Sequence, residues 1–171
     1  MFSKERFFIM RIAILTVSDK GSKGERKDTS SQVIRDMVKD IGEIVAYEIV
    51  PDEKEIISGK LTEFCDRLKV DLVLTTGGTG FSQRDITPEA TKEVIEKETP
   101  GIPEAMRMFS FKKSPHSVLS RAVAGIRKQT LIINLPGSPK GVRENLEVVL
   151  NSLVHGIKIL KGEDTECGGV S

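Results

Sequence analysis

The chain has 171 residues, within the size of one domain and long enough to bury a core without disulfide or metal staples. Its 26 basic and 25 acidic residues leave a net charge of +1, which argues against a nucleic-acid-binding polyelectrolyte surface. The two cysteines, Cys65 and Cys167, form no C-x-x-C pair, so neither a disulfide framework nor a zinc site is expected, and a reducing, cytoplasmic setting fits best.

The N-terminal MFSKERFFIMR holds only the short apolar run 7–10, too little for a signal-peptide core or a membrane span. Met10 stands directly before the first expected strand and is an alternative start of translation. Residues 11–17 (RIAILTV) read as a strand covered on both faces. A polar, Gly-bearing loop, 18–28, leads into a helix from about Thr29, whose stripe is Val33, Ile34, Met37, Val38 and Ile41. Residues 43–50 are a second strand, ending at Pro51-Asp52. Residues 53–68 are helical, with Ile56, Ile57, Leu61, Phe64, Cys65 and Leu68 on one side. The third strand is 72–76. Residues 88–98 form a short helix that Thr87 can cap and Pro88 can start.

The segment 101–128 fits this alternation poorly and is expected as an insertion near the site, outside the sheet. Residues 130–135 (TLIINL) are a further buried strand, and a long helix runs over about 141–160. The Gly-rich tail is expected to fray. Strands alternating with such helices give an α/β, three-layer sandwich around a mostly parallel sheet, one domain over 1–171 with its ordered core at about 11–160. Ligands of such sheets bind beyond the carboxyl ends of the strands, where the two loops 77–83 and 136–141 would share a rim.

The stretch TTGGTGFSQRDITPEA, residues 75–90, carries the chemistry. One reading is a tight connection between strand and helix. The other is an anion cradle: glycines let backbone amides converge on phosphate oxygens, with Thr75, Thr76 and Thr79 as added donors. It is neither a Walker A loop nor a G-x-G-x-x-G turn. Asp52 and Asp85 both follow strands, so parallel pairing would bring two carboxylates to one rim, a set that suits Mg²⁺. Asp52 can equally be the N-cap of the next helix, and Asp85 a turn former paired with Arg84. Ser138 and Lys140 are a second donor set or a stiffened loop with a solvated lysine. Phe81 is a stacking ring or, as loop phenylalanines more often are, an inward-packed one. His116 and His155 offer no partner for a Ser-His-Asp or Cys-His mechanism.

TTGGTG-x₃-RD-x-TPEAT at 75–91, IVPDE at 49–53, SRAVAGIRKQ at 120–129 and LIINLPGSPKG at 131–141 together resemble the MogA/MoaB family of molybdenum-cofactor biosynthesis. The likeness runs from about residue 11 to 160, and the acid patterns favour the MogA type, the molybdopterin adenylyltransferases. The resemblance implies a molybdopterin-binding fold. The implied reaction joins molybdopterin to ATP with Mg²⁺ and releases pyrophosphate, with no protein nucleophile. By the same resemblance Asp52 and Asp85 are the catalytic and metal-binding acids. Thr76, Gly77, Gly78, Thr79 and Gly80 hold phosphate, Ser110 and Ser120 lie toward molybdopterin, and Asn134, Gly137, Ser138 and Lys140 form the second substrate-binding loop. Ser18 and Asp19 match a polar pair near the same pocket. The family likeness also implies a homotrimer and leaves room for a molybdotransferase partner, while the charge balance and the short apolar run point to no nucleic-acid or membrane partner. Two rivals remain: a non-catalytic scaffold, as the related gephyrin domain also serves, and a CinA-like enzyme acting on another nucleotide. A scaffold has no need of Asp52 and Asp85 together.

Overall fold

The computed structural model describes residues 9–163; the C-terminal tail with Cys167, expected to fray, and the N-terminal run before Ile9 lie outside the described residues. A six-stranded sheet has the order β2-β1-β3-β6-β5-β4. β1 (Met10–Val17), β2 (Gly42–Val50), β3 (Leu72–Thr76) and β6 (Thr130–Leu135) are parallel neighbours, while β5 (Ala124–Arg127) and β4 (Lys97–Glu98) add an antiparallel edge. The apolar run of β1 is continuous because alternate side chains enter two different cores. Met10, Ile12 and Ile14 pack on one face with Leu72, Leu74, Ile133 and Leu135. Ala13, Leu15 and Val17 pack on the other with Val73 and Ile132.

The first core is covered by α2 (Ser30–Val38), α5 (Gly101–Phe111) and α6 (Pro139–Leu160), through Ile34, Val38, Met106, Val142, Leu146, Leu153 and Ile157. The second is covered by α3 (Lys54–Thr62), with the π-turn Glu63–Arg67 that extends it, and by α4 (Thr87–Val94); these supply Ile57, Leu61, Phe64, Ala90 and Val94. This is the expected α/β three-layer sandwich.

Four local expectations change. The segment 101–128 is no insertion: α5 covers the core through Met106, a 3-10 turn spans Pro115–Leu119, and β5 joins the sheet in a tight hairpin with β6. Its two X-Pro steps mask that role, because they fall at the start of α5 and of the 3-10 turn, where proline is tolerated. The helix after Pro88 stops at Val94, since Ile95 is extended and 97–98 pair with β5. A short helix α1 (Asp19–Ser22) interrupts the loop after β1, with the Ser18 hydroxyl accepting from Gly21 N. Ile56 turns outward and is exposed, leaving Ile57 to the core.

The chain leaves β1 for β2 on one side and returns to β3 on the other. That reversal opens a crevice at the carboxyl ends of the central strands, where open α/β sheets place their ligands.

Candidate active site

The crevice is a cleft of about 290 Å³ lined by the ends of β1 and β3, Asp52, Gly77, Gly78, Asp85, Gly137 and Ser138, and by the 26–30 segment. Both acids singled out in the sequence therefore face one cavity. Asp52 is not a cap: the N-cap of α3 is Glu53, which caps with no side chain. Its carboxylate accepts from Asp19 N at 2.9 Å, while Asp19 Oδ1 accepts from Asp52 N at 3.0 Å, so each acid grips the other's backbone. Asp85 is not paired with Arg84 either. Its Oδ2 accepts from Ser82 N at 3.0 Å, and it lines the cleft across from Asp52.

Arg84 instead turns to Asp19, donating through Nε and Nη2 at 2.9 Å each, and to Glu53 at 2.8 Å. This sorts three acids at the rim into two kinds. Asp19 is neutralised: the hydrogen bonds from Arg84, then that from Asp52 N, hold its carboxyl down at about 2. Asp52 goes the other way, because partial burial pushes its carboxyl up, with the nearby charges of Asp19 and Asp85 adding to the rise against the hydrogen bond from Asp19 N. Two like charges sharing a half-buried cleft favour a cation between them. Among the described residues no cluster of three or more His, Cys, Asp or Glu could hold one alone. A cation held by Asp52 and Asp85 would complete its shell with phosphate and water, as Mg²⁺ does.

The loop glycines fit this arrangement through their backbone. Gly77 has φ +98, and a Cβ there would lie 2.3 Å from Val17 O; Gly78 has φ +67, and a Cβ would lie 2.2 Å from Thr87 Oγ1 and 3.2 Å from Asp52 Oδ1. Only glycine lets the loop pass so close to β1, α4 and the acid. The Gly77 amide is already used, donating to Leu135 O at 3.2 Å. The amides of Gly78, Thr79 and Gly80 find no acceptor among the described residues. Thr87 is the first residue of α4 and not its cap; its hydroxyl donates to Gly77 O.

The remaining expected site residues separate by burial. Thr76 lines the cleft but spends its hydroxyl on Pro136 O at 2.6 Å, tying the two loops together. Thr75 and Asn134 are fully buried: the Asn134 amide donates to Thr75 Oγ1 and Thr91 Oγ1 and accepts from Val123 N, so it braces the rim from beneath. Ser138 lines the cleft and caps α6, accepting from Gly141 N. Lys140 is exposed, with Glu144 at 4.0 Å. Ser110 and Ser120 lie outside this cleft, near the end of α5 and before β5; the Ser110 hydroxyl is buried without a partner. Phe81 is exposed on the loop, and His116 and His155 are exposed and do not line the cleft. Cys65 is buried beneath the sheet, which pushes its thiol up to about 11 and leaves it inert.

Three features were passed over in the sequence. Arg26 and Lys27 line the cleft in the exposed segment before α2. Asp28 beside them is held by Ser31 N at 3.0 Å, Thr16 Oγ1 at 2.5 Å and Tyr47 Oη at 2.8 Å; burial raises its carboxyl, and these hydrogen bonds together outweigh burial and lower it. The signal was present as the charged tract GERKD, which follows the first strand on the same rim. Arg121, third, reaches the glycine loop from the 3-10 side.

A family model described as "Probable molybdopterin binding domain" matches residues 13–156. A "Molybdopterin adenylyltransferase" of Helicobacter pylori is 46% identical, over 90% of this chain and 89% of that protein. "Gephyrin" of Dictyostelium discoideum is 44% identical over 89% of this chain but only 23% of its own length. The crystal structure of the molybdopterin biosynthesis enzyme MoaB of Thermus thermophilus superposes with a TM-score of 0.86 at 51% identity, covering 90% of this chain and 98% of that one.

Proposed function

The chain belongs to the molybdopterin-binding domain family of molybdenum-cofactor biosynthesis, and from that premise we propose that it is a molybdopterin adenylyltransferase. The observation that carries the reading is the pair Asp52 and Asp85 on one cleft beside a loop with free amides. A carrier of molybdopterin alone gains nothing from two half-buried carboxylates of like charge, whereas a site for a metal-bridged triphosphate needs them.

In the proposed reaction a terminal phosphate oxygen of molybdopterin attacks the α-phosphorus of ATP. A new P–O bond forms as the bond to the bridging oxygen of the β-phosphate breaks, and that oxygen leaves with the electron pair as part of pyrophosphate. The products are adenylylated molybdopterin and pyrophosphate. Mg²⁺, held by Asp52 and Asp85, would supply charge neutralisation for the phosphates. The protein's own part is positioning: the Gly78–Gly80 amides offer donors to phosphoryl oxygens, and Asp19 and Arg84 hold Asp52 in place. Neither His116 nor His155 has a role in the transfer, as befits a reaction between two substrates with no protein nucleophile.

We assign the activity to one cytoplasmic domain. Among the described residues no helix is long and apolar enough to cross a membrane. The exposed Met108, Phe111, Val118 and Leu119 of α5 and the 3-10 turn suit burial against another copy, as a homotrimer would provide. Docking of a molybdotransferase accords with the fused length of the gephyrin relative.

The test is pyrophosphate release from ATP and Mg²⁺, with and without molybdopterin, for the wild type and Asp85→Asn. Release should depend on molybdopterin and fall by about a hundredfold or more in the variant, while molybdopterin binding persists. Molybdopterin binding without any pyrophosphate release by the wild type would mark the protein as a carrier or scaffold.

A further inference from the structure

We propose that Arg121 is a positioning residue for the transfer, clamping the 77–85 loop so that its amides and the Asp85 carboxylate are presented to the cleft; this rests on the reading of the cleft as a phosphate and metal site. Four consecutive loop carbonyls are tied down on one side. Gly77 O accepts from Thr87 Oγ1 at 2.9 Å and Gly78 O from Thr87 N at 3.1 Å. Thr79 O accepts from Arg121 N at 2.9 Å, and Gly80 O from Arg121 Nε at 2.7 Å. All described peptide bonds are trans. In a trans peptide plane the carbonyl and the following N–H point in opposite directions. Tying the carbonyls of 77–80 therefore turns the amides of Gly78, Thr79, Gly80 and Phe81 the other way, away from α4 and Arg121. Consecutive amides on one side of a Gly-rich turn are the arrangement that binds anions.

Thr87 is fully buried in α4 and secures the inner half of the loop. The outer half depends on Arg121. Its Nη2 donates to Asp85 O at 2.8 Å, and its Nη1 pairs with Glu89. One guanidinium thus spans from Gly80 to Asp85, fixing the backbone that carries the metal-side carboxylate, while Ser82 N fixes the carboxylate itself. A planar fork with separate donors on Nε, Nη1 and Nη2 can serve three acceptors at once, and a lysine ammonium at that position can reach only part of the set. Each side-chain nitrogen of Arg121 already has a partner in the loop or in Glu89, which makes its role that of holding the loop.

The experiment compares the full chain with Arg121→Ala, Arg121→Lys and Glu89→Gln. For Arg121→Ala, kcat should fall about a hundredfold, with the KM for molybdopterin within about threefold, because the loss is of alignment and not of binding. Arg121→Lys should recover no more than about a tenth of the wild-type kcat. Millimolar guanidinium should restore part of the Arg121→Ala activity, which a folding defect would not allow. Glu89→Gln, which leaves the loop contacts in place, should stay within about threefold of wild type. Independently of catalysis, hydrogen exchange of the Ser82 and Asp85 amides, bonded to Asp85 Oδ2 and Ser82 O, should accelerate about tenfold or more in Arg121→Ala, with the Thr87 and β3 amides unchanged. Unaltered exchange at Ser82 and Asp85 overturns the clamp, and so does wild-type kcat in Arg121→Ala. If the wild type itself makes no adenylylated molybdopterin, the functional reading fails, while the exchange comparison still decides whether Arg121 holds the loop.

Discussion

The two loops that close the cleft have similar composition and the same topological address, yet they are built differently. The 77–85 loop after β3 and the 136–138 loop after β6 are both Gly- and Ser-bearing turns from a parallel strand into a helix. The first is fastened from outside through Thr87 and Arg121, and its positive-φ glycines pass within van der Waals limits of β1, α4 and Asp52. The second is held more lightly: hydroxyls of Thr76 and Ser30 donate to Pro136 O at 2.6 Å and Gly137 O at 2.7 Å, Ser138 caps its own helix, and a Cβ added at Gly137 would meet only the edge of Gly77, at 3.4 Å. The difference teaches where precision is needed. The loop that must present amides and a carboxylate together is over-determined by tertiary contacts. The second loop is held by two hydroxyl bonds to its carbonyls and by its own helix cap, and Gly137 is under no steric demand.

Matched alanines should break this comparison most sharply. Gly78→Ala places a methyl against Thr87 Oγ1 and beside Asp52 at a left-handed φ. Activity should fall by about a hundredfold or more, with a stability loss of about 1–3 kcal/mol by urea unfolding. Gly137→Ala, with only an ordinary contact ahead of it, should keep activity within about fivefold. Equal losses at the two positions would erase the distinction.

A middle-sized effect should come from the acids. Asp19 has a folded carboxyl at about 2, below its ordinary 3.8, so the Arg84 contribution to stability is present above that ordinary value and is lost as pH falls through about 2. Arg84→Met should therefore destabilise the protein at pH 7 and not at pH 2. It also leaves Asp19 as an uncompensated charge beside Asp52, whose carboxyl already stands above the usual range. Because the ionised Asp52 is the form proposed to act, the acid limb of kcat/KM should move to higher pH by about half a unit to one unit. A pH–rate profile that coincides with wild type would remove Arg84 from the site.

The smallest effects belong to the second loop. Ser138→Ala should cost about 1 kcal/mol through loss of the α6 cap, and Lys140→Ala should change kcat less than about twofold, since its side chain points into solvent. A tenfold rise in the KM for ATP in Lys140→Ala would show that this loop closes on the substrate in solution.

Much of the fold was legible in local pattern. Residues 130–135 read as a buried strand because every side chain is apolar or small, and the α2 stripe follows from 3.6-residue spacing; both are observed. The segment 101–128 was illegible for a physical reason: β5 is a four-residue strand whose existence depends on the neighbouring β6, and β4 on β5 in turn. Asp52 and Asp85 stood out by motif, and their convergence followed from parallel pairing. The partners of Arg84 did not, since Asp19 lies 65 residues away in sequence, and nothing local prefers it to the adjacent Asp85.

The sequence by itself determined the α/β alternation, the two loops on one rim and the family, because these rest on periodicity and on residue types fixed by backbone geometry. The tertiary structure decided which acids are neutralised and which are left facing the cleft, and that Asn134 supports the rim from below. It alone revealed that Arg121 clamps the glycine loop. Those outcomes depend on which side chains meet across strands and helices distant in sequence, where hydrogen-bond directions and burial, not local propensity, set each group's charge and reach.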